Sequence, residues 1–575
     1  MNMRDLIPHA AVKAEGRSAD APFRTWTIGL AVAAVFAAVF AVGYGANALA
    51  QAERLEPAGD QAPARVRLLT DDQYRNTIAS IFGADIDVQA RFAPVRRARG
   101  GLIAVGTTTA GISSSDAESF HRVAYAVADQ VVDSVHRNQL IPCRPANEKA
   151  ADAACATQFL GRTGALLYRR PLTEAELKQA VGVSAAAANE FKDFYKGLSY
   201  ALGGMLSSPN VLFVIEDTEP DPSRPGSRRL TAYSLATRMS LLLWNAAPDE
   251  ALLTAASSGQ LYDPKVRAAQ VDEMIASPRF EAGVRAFFSD MLMYEDFVAL
   301  AKDPVIFANF TGRSVNDAAE QTLRTMVHHV IDKDADYRDV FTSRTTFLTP
   351  NLAPLYGVTA PSSGWARYEV PADSPRQGLL MQIGFLAAHS HPGRTSPTRR
   401  GKALRELLLC QIVPDPPSNV DFSIIEDPNA HFTTARARIT AHSSDPTCAG
   451  CHKITDPMGL ALENFDGAGQ FRSTENGAVI DTSGGLDGVV FKGAAGLAKA
   501  MHDNPSTVSC LVSRVFSYGV GREPVGKDEG LVSYFEQSFA RDGYRIKALM
   551  RTLATSRAFS QAGGGGGQVA ALTTR

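Results

Sequence analysis

Residues 448–452 read Cys-Ala-Gly-Cys-His. Two cysteines three positions apart present their thiols from one turn, at a spacing that suits the two vinyl groups of a porphyrin. The histidine that follows carries an imidazole to the iron. The motif predicts one covalently attached haem c, bound through Cys448 and Cys451, with His452 as the proximal iron ligand. Two other chemistries use the same residues. Cys448 and Cys451 could close a short disulfide of the redox type. Together with His442 and His452 they could also bind zinc as a Cys2His2 set, although adjacent Cys451 and His452 reach one tetrahedral ion awkwardly.

The iron's other face is less well provided for. Met458 is the nearest sulfur and the distal candidate, but it lies six residues beyond His452. Six extended residues reach about 20 Å at most, and Pro457 and Gly459 favour a turn over a straight run. His442, six residues before Cys448, faces the same limit. Met501 and His502 have enough slack, yet nothing around them marks a ligand. The expectation is that no single near-sequence residue gives a strong sixth ligand. The iron would then be open or weakly ligated, which favours redox catalysis over simple electron carriage.

Other constellations read as structural. Arg394, Arg399, Arg400 and Lys402 form a cationic loop, expected to be solvated unless it holds haem propionates or an acidic partner. His389, His391, His328 and His329 read as structural or surface residues. Asp456 and Asp466 are expected to cap turns around Gly459 and Gly467 more than to act as acids. The chain has no HExxH, P-loop or GxSxG motif, and no catalytic residue is marked.

After the cysteines comes Asp456-Pro457-Met458-Gly459-Leu460-Ala461-Leu462-Glu463-Asn464-Phe465-Asp466, then Gly469 and Arg472. This resembles a large family of secreted bacterial proteins built from consecutive domains of unknown function, the planctomycete-type cytochrome c proteins. In that family a CxxCH motif runs into a DP-hydrophobic-GxALExFD stretch. Further blocks match in order: 68–77, 168–173, 230–249, Thr395 to Gly401, and Tyr518-Gly519-Val520-Gly521-Arg522. The resemblance covers nearly all of residues 65–560. It implies a C-terminal c-type haem and brings no established reaction. Many relatives carry an additional N-terminal haem-binding module, but this chain has no second CxxCH, so a two-haem relay is not expected.

The compartment follows from the first segment. No charged residue occurs from Thr25 through Ala52, and Ala48 and Ala50 fit an A-x-A cleavage site. Cleavage would leave the protein periplasmic or secreted. Without cleavage, residues 26–48 would anchor it in the inner membrane, its one expected membrane contact. Six cysteines agree with an oxidising compartment. With two holding haem, the other four are expected to pair as Cys143–Cys155, close in sequence across a polar loop, and Cys410–Cys510, by elimination. A formal net charge of -2 argues against nucleic acid as a partner. The expected partner is a redox protein or substrate of unknown identity.

The elements that must position these residues are mainly α. Several helical domains in series are expected, with a small β hairpin over 478–492 near the C-terminus. The segments are a signal peptide or anchor (1–52), a linker (53–64), and helical domains over 65–138, 139–216 and 229–358. A segment carrying the RTSPTRRG block and the haem motif follows (374–475), then a C-terminal helical domain (476–560) and a flexible tail (561–575). Thr70 and Thr173 are predicted N-caps, Glu176 a capping-box partner, and Pro171 a helix stop. A long helix is expected over 119–137, and 217–228 reads as a turn-rich linker. The functional readings are an exported c-type haem protein with a redox role, in electron transfer or haem-dependent oxidoreduction, or a non-catalytic cell-envelope protein. In the second, haem, zinc or a disulfide only stabilises the C-terminal region.

Overall fold

Thr70, Ser113 and Thr173 each precede a helix and satisfy its first free N–H groups. Thr70 caps Asp71–Phe82 and Thr173 caps Glu174–Phe191, each in a reciprocal capping box with Gln73 or Glu176. Ser113 does the same with Asp116, so the long helix spans Ser114–Val132, starting five residues before its expected position. These helices pack with Ala153–Tyr168 and Phe194–Leu206 around Ile78, Val127, Leu160, Leu198 and Leu202. The helix before Pro171 ends at Arg169 in a left-handed conformation, φ 58°. The buried Arg169 guanidinium then donates to the carbonyls of Asn210, Val211 and Phe213.

The computed structural model describes residues 55–60, 63–89, 92, 95, 97, 101–106, 111–415, 432–444 and 446–563. The apolar N-terminal segment with its expected cleavage site and most of the C-terminal tail lie outside the described residues. Among the described residues, no helix is long and apolar enough to cross a membrane. The architecture is mainly α, with short two-stranded antiparallel sheets. The C-terminal hairpin pairs Ser483–Leu486 with Val489–Lys492.

The expected linker over 217–228 is itself structure. Thr218–Pro220 pairs antiparallel with Arg228–Leu230, and Asp221 organises the turn between them by accepting from Ser223. Its prolines close a hairpin where a tether was expected. Two residues of the expected linker, Glu56 and Asp60, are also tied down. Asp60 N–H donates to Asp528, Arg522 donates to the Asp60 carbonyl, and Glu56 accepts from Arg557 and Ala558.

Ala232–Leu243 is buried on nearly all sides and lies in the main core. That core also takes Phe287, Leu404, Met458, Leu462, Phe465, Phe516 and Phe539. The central, haem-motif and C-terminal segments therefore share one hydrophobic interior, within a compact unit covering 56–575. Cys143–Cys155 and Cys410–Cys510 are disulfides, with Cα atoms 5.5 Å and 5.2 Å apart. The second joins residues 100 positions apart and ties the segment before the haem motif to the C-terminal helices.

Candidate functional site

The CxxCH residues lie on a helix, Pro446–Leu460. A shorter helix, Pro397–Ala403, crosses it at close range, and two glycines make the crossing possible. A Cβ on Gly401 would stand 1.9 Å from the Thr455 carbonyl oxygen, and one on Gly459 would stand 1.8 Å from that of Pro397. Ser396 caps the shorter helix by accepting from Arg399 N–H, and Pro397 occupies its first turn. This crossing explains why the RTSPTRRG block and the DPMG stretch belong together: each supplies the glycine that admits the other's backbone.

The crossing delivers Thr398 to the histidine. His452 Nδ1 lies 2.7 Å from Asp456 Oδ2, one turn along the same helix. The other carboxylate oxygen accepts from Thr398 at 2.7 Å and from Thr455 at 3.2 Å. Asp456 is buried and satisfied by these contacts. The expected turn cap is thus a carboxylate that fixes an imidazole. Asp466 does cap its turn, accepting from the N–H groups of Ala468 and Gln470.

The cysteines lie half-buried on the same helix, and neither is part of a disulfide. The short disulfide of the redox type is therefore not formed in this structure. The zinc set fares no better. Cys451 Sγ faces the Pro414 carbonyl while the adjacent His452 turns to Asp456. Among the described residues no three His, Cys, Asp or Glu side chains converge on one ion position.

Behind the site, Arg400 is fully buried, which corrects the reading of 394–402 as a solvated cationic loop. Its guanidinium donates to the carbonyls of Leu386, Leu462, Phe465 and Asp466 and to Glu463. It therefore secures the chain just after the cysteine helix. Arg399 stays exposed, and Lys402 pairs with Glu406. Burial pushes the Glu463 carboxyl up, against the pull of Arg400 and Arg472. Two of the histidines read as structural or surface residues have partners close by in the chain. His329 Nε2 contacts the Asp336 carbonyl, and His328 pairs with Asp332.

Met458, the distal candidate, is fully enclosed in the main core. His442 comes instead from Ala435–Ser443, the helix before the cysteine helix. Its ring meets that of His452 with centroids 4.9 Å apart and planes at 78°. The sequence sets His442 with His452 as half of a zinc set; it does not show the contact of the two rings or the hold of Thr398 on Asp456. The spacing of Asp456 four residues after His452 is a readable signal; nothing in the sequence pairs Thr398 with Asp456.

Five family models, each described as a protein of unknown function, match in order. They are DUF1587 over residues 67–133, DUF1595 over 155–216, DUF1592 over 230–358, DUF1588 over 376–475 and DUF1585 over 487–559. The chain belongs to the family of planctomycete-type cytochrome c proteins. No curated protein and no solved structure shows a detectable match. Within the family's series of domains, both crossing helices and Asp456 fall inside the DUF1588 match. The donor set there suits a c-type haem: two thiols outside any disulfide on one helical turn, then an imidazole held through Nδ1, which would leave Nε2 for an iron.

Proposed function

We propose that the protein is an exported c-type haem protein with a redox role. The observation that carries this reading is the Asp456-held imidazole of His452 next to Cys448 and Cys451 on one helix. The two thiols would bind the vinyl groups and His452 would ligate the iron. Bound there, a haem supplies one-electron exchange. The chain's own contribution is orientation. Asp456 fixes the tautomer of His452 with its proton on Nδ1, Thr398 and Thr455 fix Asp456, and the glycine crossing holds both helices in register. Electrons would pass to or from a partner protein or substrate outside the chain, with no role for nucleic acid. Export rests on the apolar N-terminal segment, and two disulfides agree with an oxidising compartment.

The test is a haem-stained denaturing gel of protein exported in a host that attaches c-type haem. Wild type should keep its stain, and Cys448→Ala/Cys451→Ala should lose it. Equal staining of the two, or none in wild type, overturns the proposal. A purely stabilising haem is distinguished by redox titration: a haem that cannot be reversibly reduced and reoxidised would leave only that role.

A further inference from the structure

Three of the sequence blocks named above, 68–77, 230–249 and 518–522, lie far apart in the chain and meet at Asn245. Its backbone carbonyl accepts from the Asn76 side chain at 3.3 Å, and its Oδ1 accepts from the Tyr518 hydroxyl at 3.4 Å. Asn245 is 2% exposed and left-handed, φ 51°. Its amide nitrogen has no hydrogen-bond partner among the described residues, an uncommon state for a buried donor. Asn245 and Tyr518 line a cavity of about 710 Å³, a size that suits a small organic molecule. Its other walls come from within 68–120 and 286–298. Among the described residues none of them comes from 374–475, so the cavity is separate from the haem-motif segment.

The walls set the charge that a ligand can carry. Leu68, Ile112, Phe120 and Tyr294 give an apolar lining. Among the described residues five carboxylates line the cavity, and no lysine or arginine does. Four of the five are engaged. Asp71 pairs with Arg75, Asp116 closes the Ser113 cap, and Asp290 and Glu295 share Arg97. Asp72 makes no hydrogen bond or ion pair among the described residues. Its charged neighbours are Asp71 and Arg75, and Arg75 turns to Asp71 at 2.7 Å. We infer that this cavity binds an organic cation, a protonated amine on a ring-sized apolar body, with Asp72 as counter-ion and Asn245 donating to an oxygen of the ligand. An anion would meet unscreened carboxylates there. The surrounding protein and the neighbouring Asp71 push the Asp72 carboxyl up, and a bound cation reverses that shift.

The experiment is isothermal titration calorimetry of the full-length protein with probes that share one body. They are tyramine as the cation, tyrosol as its uncharged analogue, hydroxyphenylacetate as the anion, and phenethylamine as the cation without the phenol oxygen. Tyramine should bind at one site, and tyrosol about fivefold more weakly, the weight of a water-accessible ion pair. Phenethylamine should also bind more weakly than tyramine, and hydroxyphenylacetate should not bind. Asp72→Asn should bring tyramine down to the affinity of tyrosol and leave tyrosol unchanged. Ala286→Phe, which fills the cavity from the helix Phe280–Met291, should abolish both. Equal binding of cation, neutral and anion overturns the inference. So does a wild type that does not bind tyramine, or an Asp72→Asn variant that binds it as wild type does.

Discussion

His452 and Asp456 are one helical turn apart, and their side chains lie 2.7 Å from each other, with Thr398 from a crossing helix holding the far carboxylate oxygen at 2.7 Å. A carboxylate on the distal nitrogen of a metal-binding imidazole raises its basicity and fixes its rotation. Asp456→Asn should therefore keep the covalent haem stain and raise the reduction potential, because a less basic imidazole stabilises the ferric state less. Thr398→Val should shift it in the same direction by less. Spectroelectrochemical titration checks both, and an unchanged potential in Asp456→Asn would show that the contact is only structural.

The two crossing glycines give a sharper contrast. Gly401→Ala and Gly459→Ala each drive a methyl group to within 2 Å of a backbone oxygen, where no side-chain rotation relieves it. Each should cost about 1–3 kcal/mol or more. Gly450, between the two cysteines on the same helix, has nothing within 4 Å of its Cβ position. Gly450→Ala should stabilise that helix by roughly 0.5–1 kcal/mol. Urea unfolding of the three variants tests this, and a destabilised Gly450→Ala would contradict the open space at that position.

Local chemistry was legible in the sequence where the cause was local. Thr70 and Thr173 announced their helices because a capping box needs only residues three apart. The two disulfides were readable because four cysteines remained once the motif took two. Long-range consequences were not readable. Arg400 looked like a surface cation because nothing within ten residues of it names the carbonyls of Leu462, Phe465 and Asp466 that enclose it. Asp456 looked like a turn cap because its partner Thr398 lies 58 positions away. The 217–228 stretch looked like a tether because proline and glycine serve hairpin turns and linkers alike.

Arg400 and Glu463 are both fully enclosed, with side chains 0% and 2% exposed. Arg400→Met removes the donor of several buried carbonyls and leaves Glu463 with Arg472 and Thr395 only. A loss of about 3–5 kcal/mol is expected, because several buried carbonyls lose their donor and Glu463 loses one of its two guanidinium partners. Arg400→Lys should recover little, since an ammonium cannot span that set of acceptors. Arg400→Met/Glu463→Gln should be milder than the single variant, because it removes the buried carboxylate that has lost one of its two guanidinium partners. Chemical denaturation of the set decides, and a double variant as unstable as the sum of its parts would rule out coupling.

The last expectation concerns pH and lies far from the haem motif. Glu176 closes the capping box of its helix and accepts from Arg170 at 2.8 and 2.9 Å, and the Arg170 bonds together with Thr173 hold its carboxyl down at about 2. In the unfolded chain the same group takes its ordinary value of 4.5. Between those values the unfolded state binds the extra proton, so stability rises with pH there. The contribution is complete above pH 4.5 and is lost as pH falls toward 2. The Glu176 side chain is 26% exposed; allowing for that screening, the contribution should be about 1–2 kcal/mol at neutral pH. Glu176→Gln is the informative variant, because glutamine still completes a capping box and only the charge is lost. Wild type should exceed it in unfolding free energy at pH 7, and the gap should narrow steadily below pH 4.5. A gap that stays constant down to pH 3 would assign the effect to the cap alone and remove the Arg170 ion pair from the account.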